Sequence, residues 1–241
     1  MKIVKYKKLT GGKYEVLLDN NEKIKLFEDV ILKEGLLLKK EIDDVDRILL
    51  INNKYEIENT AMKYLNHHVM SIKGMKNYLL KKYEDDEVKR IIDKLIMQGF
   101  LNDKNYAKCY ISNQINLSND GPRKIIKHLE DNNIDSDIYL EYLDISDKVW
   151  KERIDKYLEK QAKTNKKSAY FFRSKMIMNL VNLGYDKEMI ESCLNNIHLT
   201  NTFDLKKKEE DKIRKRLSHK YSGEELERKI KEKLYQKGFF E

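Results

Sequence analysis

The sequence predicts a mainly α-helical protein in which tandem three-helix bundles form an elongated, curved molecule behind a small N-terminal cap that contains β-strands. Charged residues make up 37% of the 241 residues and hydrophobic residues 40%, so a core can form but one compact globule is disfavoured. Only one Pro and 9 Gly interrupt long stretches of Lys, Glu, Leu and Ile, which favour helix. Single apolar stripes also recur at helical spacing along most of the chain.

The N-terminal cap is the part of the chain with strand periodicity. Apolar residues alternate over 14–18, a polar turn follows at 19–22, and the alternation resumes at Ile24 and Leu26. This pattern predicts a β-hairpin. Residues 5–7 add a third strand and 29–34 a short helix, and we place this cap with a lead-in helix in residues 1–58.

From about residue 44 onward the apolar period becomes that of a helix. Val88, Ile91, Ile92, Leu95 and Ile96 lie at i, i+3, i+4, i+7 and i+8, and the same rule holds over 150–158, 172–183 and 226–234. Each of these helices has one apolar stripe. Because a single stripe needs neighbours to bury it, the pattern predicts helical bundles.

A helix-ending signature recurs four times, at residues 95–100, 129–134, 180–185 and 234–239. In each copy a Leu is followed one turn later by Gly or Asn and then by an apolar residue. Gly or Asn at this place fits a left-handed residue just beyond a helix. We expect the apolar residue that follows to fold back onto the last turn.

Helix starts can also be identified from the sequence, and together with the stops they divide the chain into repeats. Capping residues or a first-turn Pro begin helices at 102–103, 120–122, Asp135, Asp186 and Ser222. We therefore predict three-helix repeats at 59–101, 102–146 and 147–200, and a shortened helical repeat at 201–241.

The sequence also gives an expectation for the cellular location of the protein. No apolar run is long enough for a signal peptide or a membrane span, so we expect a cytoplasmic protein with no membrane partner. Cys109 and Cys193 are far apart and lie on apparent apolar helix faces, which predicts buried, reduced thiols.

Catalytic patterns are weak. The densest carboxylate cluster, residues 84–87, directly precedes the stripe that begins at Val88, which favours a role at a helix N-terminus over a Mg²⁺ site. The five histidines have no zinc-binding spacing and are expected in packing or solvated positions: His67, His68, His128, His198 and His219. No phosphate-binding glycine loop occurs. We predict no catalytic, cofactor-binding or metal-binding residues and no small-molecule substrate, so the chain is not expected to be an enzyme.

The net charge of +8 is concentrated locally, since residues 151–175 carry nine basic and three acidic groups. Partner or DNA binding is therefore assigned to basic residues at the junction of two predicted helices, in the last repeat and in the helix after Pro122: Lys163, Lys166, Lys167, Arg173, Lys175, Arg214, Lys215, Arg216, Arg123, Lys124 and Lys127. Phosphates or an acidic protein face are the expected targets. Tyr170 and Phe171 are interleaved with these cations, but Phe172 continues a core stripe, which argues against base stacking.

Several residues, taken in order, resemble the RecX family of RecA regulators: Ala61-Met62-Lys63-Tyr64-Leu65, Ser71, Ile91 to Leu95, Gly99-Phe100-Leu101-Asn102-Asp103, Tyr106 and Ala107. The resemblance covers about residues 36–241, because 184–185 and 238–239 fall where that family's tandem three-helix repeats have the same turns. The family usually has Arg near Leu65 and Glu-Leu after Ser71, where this chain has 67–68 (His-His) and 74–75 (Gly-Met). Individual contacts are therefore not carried over.

The resemblance implies a non-enzymatic regulator that lies in the groove of the RecA nucleoprotein filament and modulates, mostly by inhibition, its recombinase, ATPase and coprotease activities in DNA repair and the SOS response. We expect a monomer with weak non-specific DNA binding. The residues alone also fit a direct DNA-binding protein whose three-helix units act like helix-turn-helix modules. A nuclease is the third functional hypothesis.

Overall fold

A computed structural model describes residues 1–143, 146–197, 199 and 202–240. By its internal contacts the chain divides into two compact units, residues 1–106 (unit 1) and 107–241 (unit 2). Within the described ranges there are three strands and thirteen helices. A mainly helical protein with a small N-terminal sheet is therefore confirmed.

Unit 1 begins with a three-stranded antiparallel sheet in the order β1-β2-β3. The strands are β1 (Ile3–Lys8), β2 (Lys13–Leu18) and β3 (Lys23–Phe27). Val16 lies opposite Ile24, and the alternation predicted from the sequence buries both side chains on one face. The predicted hairpin and third strand are both confirmed.

Six helices begin in unit 1: α1 (Glu28–Lys33), α2 (Leu36–Lys39), α3 (Val45–Leu65), α4 (Ile72–Leu79), α5 (Asp85–Met97) and α6 (Asp103–Leu117), of which α6 continues into unit 2. α3 contributes Ile48 to the core under the sheet and Ile57 to the core shared with α4 and α5. The buried Asn52 side chain accepts a hydrogen bond from the Phe27 backbone N–H at 2.8 Å and donates to the Lys25 carbonyl at 3.3 Å. One continuous helix thus serves both cores of this unit.

Three of the family-like residues of unit 1, Ser71, Asn102 and Asp103, satisfy backbone N–H groups at helix starts. Ser71 Oγ accepts from the Gly74 N–H at 2.9 Å, and Asn102 Oδ1 accepts from the Asn105 N–H at 3.0 Å. Asp103 Oδ1 accepts from the Ile72 N–H at 2.9 Å, so the residue that begins α6 also satisfies the start of α4.

Unit 2 contains the rest of α6 and the helices α7 (Pro122–Asp131), α8 (Ser136–Tyr139), α9 (Asp147–Lys163), α10 (Ala169–Asn182), α11 (Lys187–Asn195), α12 (Thr202–Leu217) and α13 (Gly223–Gln236). Their apolar stripes are buried as the periodicity predicts, with Trp150 and Ile154 of α9 and Met176 and Leu180 of α10 inside. α12 and α13 pair around Ile213, Ile230 and Leu234.

The four predicted helix stops adopt the expected backbone. Gly99, Asn133, Gly184 and Gly238 have φ values of 77°, 58°, 90° and 73°. In each copy the N–H of the next residue donates to the carbonyl of the signature Leu, at distances between 2.9 and 3.0 Å.

One detail of the first stop was wrong. Phe100 was expected to fold back onto the last turn of α5, but it is 52% exposed. Leu101, at 1% exposed, takes the buried position in the core that contains Leu95. The signature therefore predicts the turn, while the local shape of the core selects which following side chain enters it.

The prediction of two buried thiols was half wrong. Cys193 is buried, and burial raises the pKa of its thiol to about 11. Cys109 is exposed. The buried stripe of α6 passes through Ala107 and Ile111, and Cys109 lies two residues from each, about 200° around the helix.

Other predictions stay open. The elongated, curved shape and the five-part division remain predictions, and His198 and the boundary at 200/201 lie outside the described residues. Among the described helices, none combines the length and the apolar character needed to cross a membrane.

Candidate functional site

The basic residues assigned to binding all lie in unit 2, and the structure sorts them by their carboxylate partners. In α7, Arg123 forms an ion pair with Asp186, and Lys124 Nζ lies 2.8 Å from Asp120 Oδ1. Asp186 also caps α11 by accepting from the Glu188 N–H at 2.9 Å. Two of the three assigned cations of α7 are thus paired within the fold, whereas Lys127 has no ion pair among the described residues.

The start of α7 lies directly against the turn between α10 and α11. The Gly121 N–H donates to the Leu183 carbonyl at 2.6 Å, and the Arg123 N–H donates to the Gly184 carbonyl at 3.1 Å. A Cβ atom on Gly184 would lie 2.5 Å from the backbone nitrogen of Lys124. This close approach explains why glycine occupies the third helix stop, and it places Arg123 beside Asp186.

Arg214 of α12 is also used internally. Its guanidinium donates to Glu210 Oε1 at 2.9 Å and binds Glu227 of α13, which raises its pKa above the usual value. The pair joins the two helices. Lys215 and Arg216 are exposed and form no ion pair within the described ranges.

The junction of α9 and α10 is different. The exposed side chains of Lys163, Lys166, Lys167 and Lys175 have no carboxylate within 4.0 Å in the part of the chain that the structure describes. Arg173 contacts a neutral group, the Asn195 side-chain oxygen, at 3.2 Å. None of these five assigned cations is therefore paired with an acid among the described residues, and three of them, Lys166, Lys167 and Lys175, line one cleft.

The loop that carries Lys166 and Lys167 is held by side-chain hydrogen bonds. Asn165 Oδ1 accepts from the Lys167 N–H at 3.0 Å, and Asn165 Nδ2 donates to the Lys167 carbonyl at 2.8 Å. Ser168 Oγ donates to the Lys237 carbonyl at 2.8 Å and caps the start of α10. The loop backbone is fixed, and its lysine side chains remain at the surface.

Sequence reasoning missed the continuation of this surface along α9. Lys156 and Lys160 precede Lys163 at the spacing of one helix face, and both are exposed without an ion pair among the described residues. With Arg153 they line a cleft of about 250 Å³. The signal was present, since the periodicity used for apolar stripes also finds this row of lysines.

The aromatic residues beside the lysines divide between core and surface. Phe172 is buried, as its place in the core stripe predicts. Tyr170 is 52% exposed and Phe171 39% exposed, and the Tyr170 ring lies 5.1 Å from the ring of Phe240. Tyr235, in turn, lies 4.8 Å from Phe240. The rings of Tyr235 and Phe240 were not identified as part of this surface from the sequence, because their proximity to Tyr170 depends on tertiary structure.

The residues weighed as catalytic take structural positions. Asp85, Asp86 and Glu87 lie in the first turn of α5, where Asp85 pairs with Lys76 at 2.9 Å and Glu87 accepts from Asn53. The described residues contain no cluster of three His, Cys, Asp or Glu side chains that is suited to a metal ion.

His128 has a packing role. Its ring stacks on Tyr110 with 4.1 Å between centroids, and burial lowers the pKa of the imidazole.

Comparisons with known proteins give a consistent result. No protein-family model matches the chain. Regulatory protein RecX from Lactococcus lactis subsp. cremoris (strain MG1363) is 29% identical over 235 residues, which cover 91% of this chain and 86% of the relative. The RecX protein of Streptococcus uberis is 27% identical over 99% of this chain and 93% of its own length. That of Halalkalibacterium halodurans is 25% identical over 98% and 94%.

Two solved structures have a similar fold. A crystal structure of regulatory protein RecX superposes with a TM-score of 0.59 at 21% identity, covering 80% of this chain and 98% of that chain. The crystal structure of RecX from Lactobacillus salivarius gives a TM-score of 0.52 at 26% identity, covering 61% and 97%. The similarity in fold and the similarity in sequence therefore point to the same group of proteins.

Proposed function

We propose that this chain, which belongs to the RecX family of regulatory proteins, binds the groove of a RecA nucleoprotein filament and modulates, mostly by inhibition, the recombinase, ATPase and coprotease activities of RecA. One observation carries the proposal: RecX regulatory proteins match it over nearly their whole lengths, with the same helical fold. It would act as a non-enzymatic cytoplasmic monomer in DNA repair and the SOS response.

The electrostatics of unit 2 support this proposal. A nucleoprotein filament presents phosphates and acidic protein surface, and lysines without paired carboxylates are available to either. We assign the filament contact first to Lys163, Lys166 and Lys167, because their charges are not neutralised by neighbouring acids. Arg123, Lys124 and Arg214 are less suited to the filament contact, since each forms an ion pair within the fold.

The test is RecA-dependent ATP hydrolysis on single-stranded DNA with increasing amounts of this protein. We expect hydrolysis to fall when the added protein is far below the amount needed to cover the DNA, because the target is the filament. A parallel titration of DNA without RecA shows how much of the effect comes from DNA binding alone. Unchanged hydrolysis together with tight, sequence-selective duplex binding would instead favour the helix-turn-helix-like reading.

The surface of α12 has its own test. Lys215→Glu with Arg216→Glu changes the exposed charges and leaves Arg214 on Glu210 and Glu227. Weaker inhibition of RecA with unchanged helicity would place α12 in the filament contact. Wild-type inhibition would remove it.

A further inference from the structure

The N-terminal sheet of unit 1 has one edge on β3 and one on β1, and a side chain closes the β3 edge near its end. The Asn52 amide accepts from the Phe27 N–H at 2.8 Å and donates to the Lys25 carbonyl at 3.3 Å. A peptide group of a further strand would make these same two bonds. The backbone groups that point outward here are therefore already satisfied within the fold.

The β1 edge is closed at its start by the segment that follows α2. The Ile3 N–H donates to the Lys40 carbonyl at 2.9 Å, and the Ile42 N–H donates to the Met1 carbonyl at 2.8 Å. Backbone pairing thus covers the beginning of the strand in the way that a fourth strand would.

The rest of the β1 edge, residues 4–8, is different, and we call it the open edge. The Leu9 N–H donates to the Lys13 carbonyl at 2.8 Å, so the antiparallel register directs the backbone groups of alternate residues toward β2 and those of Tyr6 and Lys8 outward. Among the described residues, no backbone group bonds to Tyr6 or Lys8 from the outer side. The open edge therefore offers donors and acceptors to another strand.

The outer face of the sheet is basic along the open edge. Lys5 and Lys7 are exposed, and neither forms an ion pair within the described ranges. Glu15 lies opposite Lys7 in the register, but its ion pair is with Lys23 at 3.8 Å. Two lysines of the edge strand are thus left with no paired acid.

The inner face of the sheet is apolar beside the open edge. The Tyr6 hydroxyl donates to the Leu36 carbonyl at 3.2 Å, which places α2 next to the edge. Leu37 and Leu38 follow in α2 and are 49% and 90% exposed. A strand added to β1 would therefore have lysines along one face and exposed leucines near the other.

From this arrangement we propose that the open edge binds an extended acidic peptide of a partner protein as a fourth strand of the sheet. Main-chain bonds to Tyr6 and Lys8 hold the peptide, and alternate acidic side chains lie beside Lys5 and Lys7. The site lies in unit 1, so it goes beyond the filament contact assigned to unit 2.

Charge selects this occupant over a second copy of the chain. Lysines on an edge strand oppose its pairing with an identical strand, because like charges directly opposite each other are destabilising. The same lysines favour an acidic strand. The protein thus closes parts of its sheet edges with hydrogen bonds and leaves uncovered the part whose charge is selective.

The experiment is a fluorescence anisotropy titration of the full chain into a labelled six-residue peptide of alternating glutamate and valine. We expect saturable binding, and a peptide with lysine in place of glutamate should not bind. Absence of binding by the acidic peptide would overturn the proposal.

Two methylated forms of the acidic peptide test whether its backbone forms a strand. One is N-methylated on its valines and the other on its glutamates, so the two have the same charge. Because successive residues of a strand direct their N–H groups to opposite sides, one form should bind about tenfold or more weakly and the other near the parent peptide. In an antiparallel arrangement the weaker form is the one methylated on valine. Equal affinities of the two forms would contradict strand pairing.

The charges of the open edge are tested with Lys5→Gln/Lys7→Gln. Binding of the acidic peptide should weaken about threefold or more at low salt, and less at high salt, where exposed charges are screened. The matched control is Lys63→Gln/Lys89→Gln, which removes two exposed lysines elsewhere in unit 1 and should bind the peptide like the wild type. Equal weakening in both variants would mean that only the net charge matters, and the proposed site would be wrong.

Other occupants give different results. A dimer in sedimentation velocity that the peptide dissociates would assign the open edge to a second copy and overturn the proposal. Displacement of the peptide by oligo(dT), together with equal affinities of the two methylated forms, would show general attraction of polyanions and would also overturn it. Inhibition of RecA is measured in a separate assay, so failure of peptide binding leaves the proposed regulatory function intact.

Discussion

Helix α7 and the junction of α9 and α10 have similar clusters of basic residues in the sequence, yet they use them differently. In α7, Arg123 and Lys124 are paired with Asp186 and Asp120. At the junction, Lys166 has no ion pair among the described residues. The density of basic residues in the sequence therefore does not determine whether they are free to bind a partner. The positions of the carboxylates determine it, and these can be distant in sequence, since Asp186 lies 63 residues from Arg123.

The largest expected effect comes from displacing the start of α7 from the turn between α10 and α11. Gly184→Ala adds a Cβ atom 2.5 Å from the Lys124 backbone nitrogen at a residue with φ of 90°. We expect the free energy of unfolding to fall by about 3 kcal/mol or more, because a steric overlap with backbone is added to left-handed strain. Urea denaturation followed by circular dichroism measures the loss.

Gly99→Ala is the matched control, since Gly99 has a similar φ of 77° but nothing within 4 Å of the added Cβ. Strain alone should lower the free energy of unfolding by about 1 to 2 kcal/mol. Equal losses in the two variants would mean that the close approach of α7 does not contribute.

The functional side of the comparison is tested by charge removal at the junction. Replacing Lys163, Lys166 and Lys167 by Gln should raise the amount of protein needed for half-maximal inhibition of RecA ATP hydrolysis about tenfold. Stability should change by less than about 0.5 kcal/mol, because these side chains are exposed and unpaired. The equally charged variant Arg123→Gln/Lys124→Gln/Lys127→Gln should inhibit nearly as well as the wild type, and the comparison fails if it does not.

A third change removes the acid that α7 and α11 share. Asp186→Ala loses the cap of α11 and the partner of Arg123, so the free energy of unfolding should fall by about 1 to 2 kcal/mol in urea denaturation. Asp135→Ala is the comparison, because Asp135 precedes α8 without a side-chain cap bond and should cost about 0.5 kcal/mol or less. A similar loss at both positions would show that capping is not the cause.

The smallest expected effect concerns the ion pair of Arg123 alone. Arg123→Gln removes one ion pair whose arginine side chain is 67% exposed, so we expect a loss of about 0.5 kcal/mol. Thermal unfolding in low salt and in about 1 M salt measures it, because ions screen exposed pairs. A loss that persists in high salt would indicate packing of the side chain rather than its charge.

Much of the fold could be predicted because the determining interactions are local. The hairpin follows from alternation over 14–26, and the left-handed residues at Gly99, Asn133, Gly184 and Gly238 follow from the need to end a helix within one turn. The choice between Phe100 and Leu101 depended on the shape of the core, which is not a local property.

The candidate site could be predicted only in part. Lys163, Lys166 and Lys167 were found from charge density, and the lysine row of α9 was readable from periodicity. The pairing of Arg123 with Asp186, and the approach of Phe240 to Tyr170, join residues that are distant in sequence. Spacing alone carries no information on contacts of this kind.

The bonds of Arg153 to the end of α6 have a consequence for the nascent chain. The carbonyls of Ile115 and Ser118 receive their hydrogen bonds from a side chain 38 and 35 residues further along. During synthesis these acceptors leave the ribosome well before their donor, whereas Asn102 caps the start of α6 from three residues away. We therefore expect α6 to become ordered first at its beginning, while its end stays frayed until α9 has emerged.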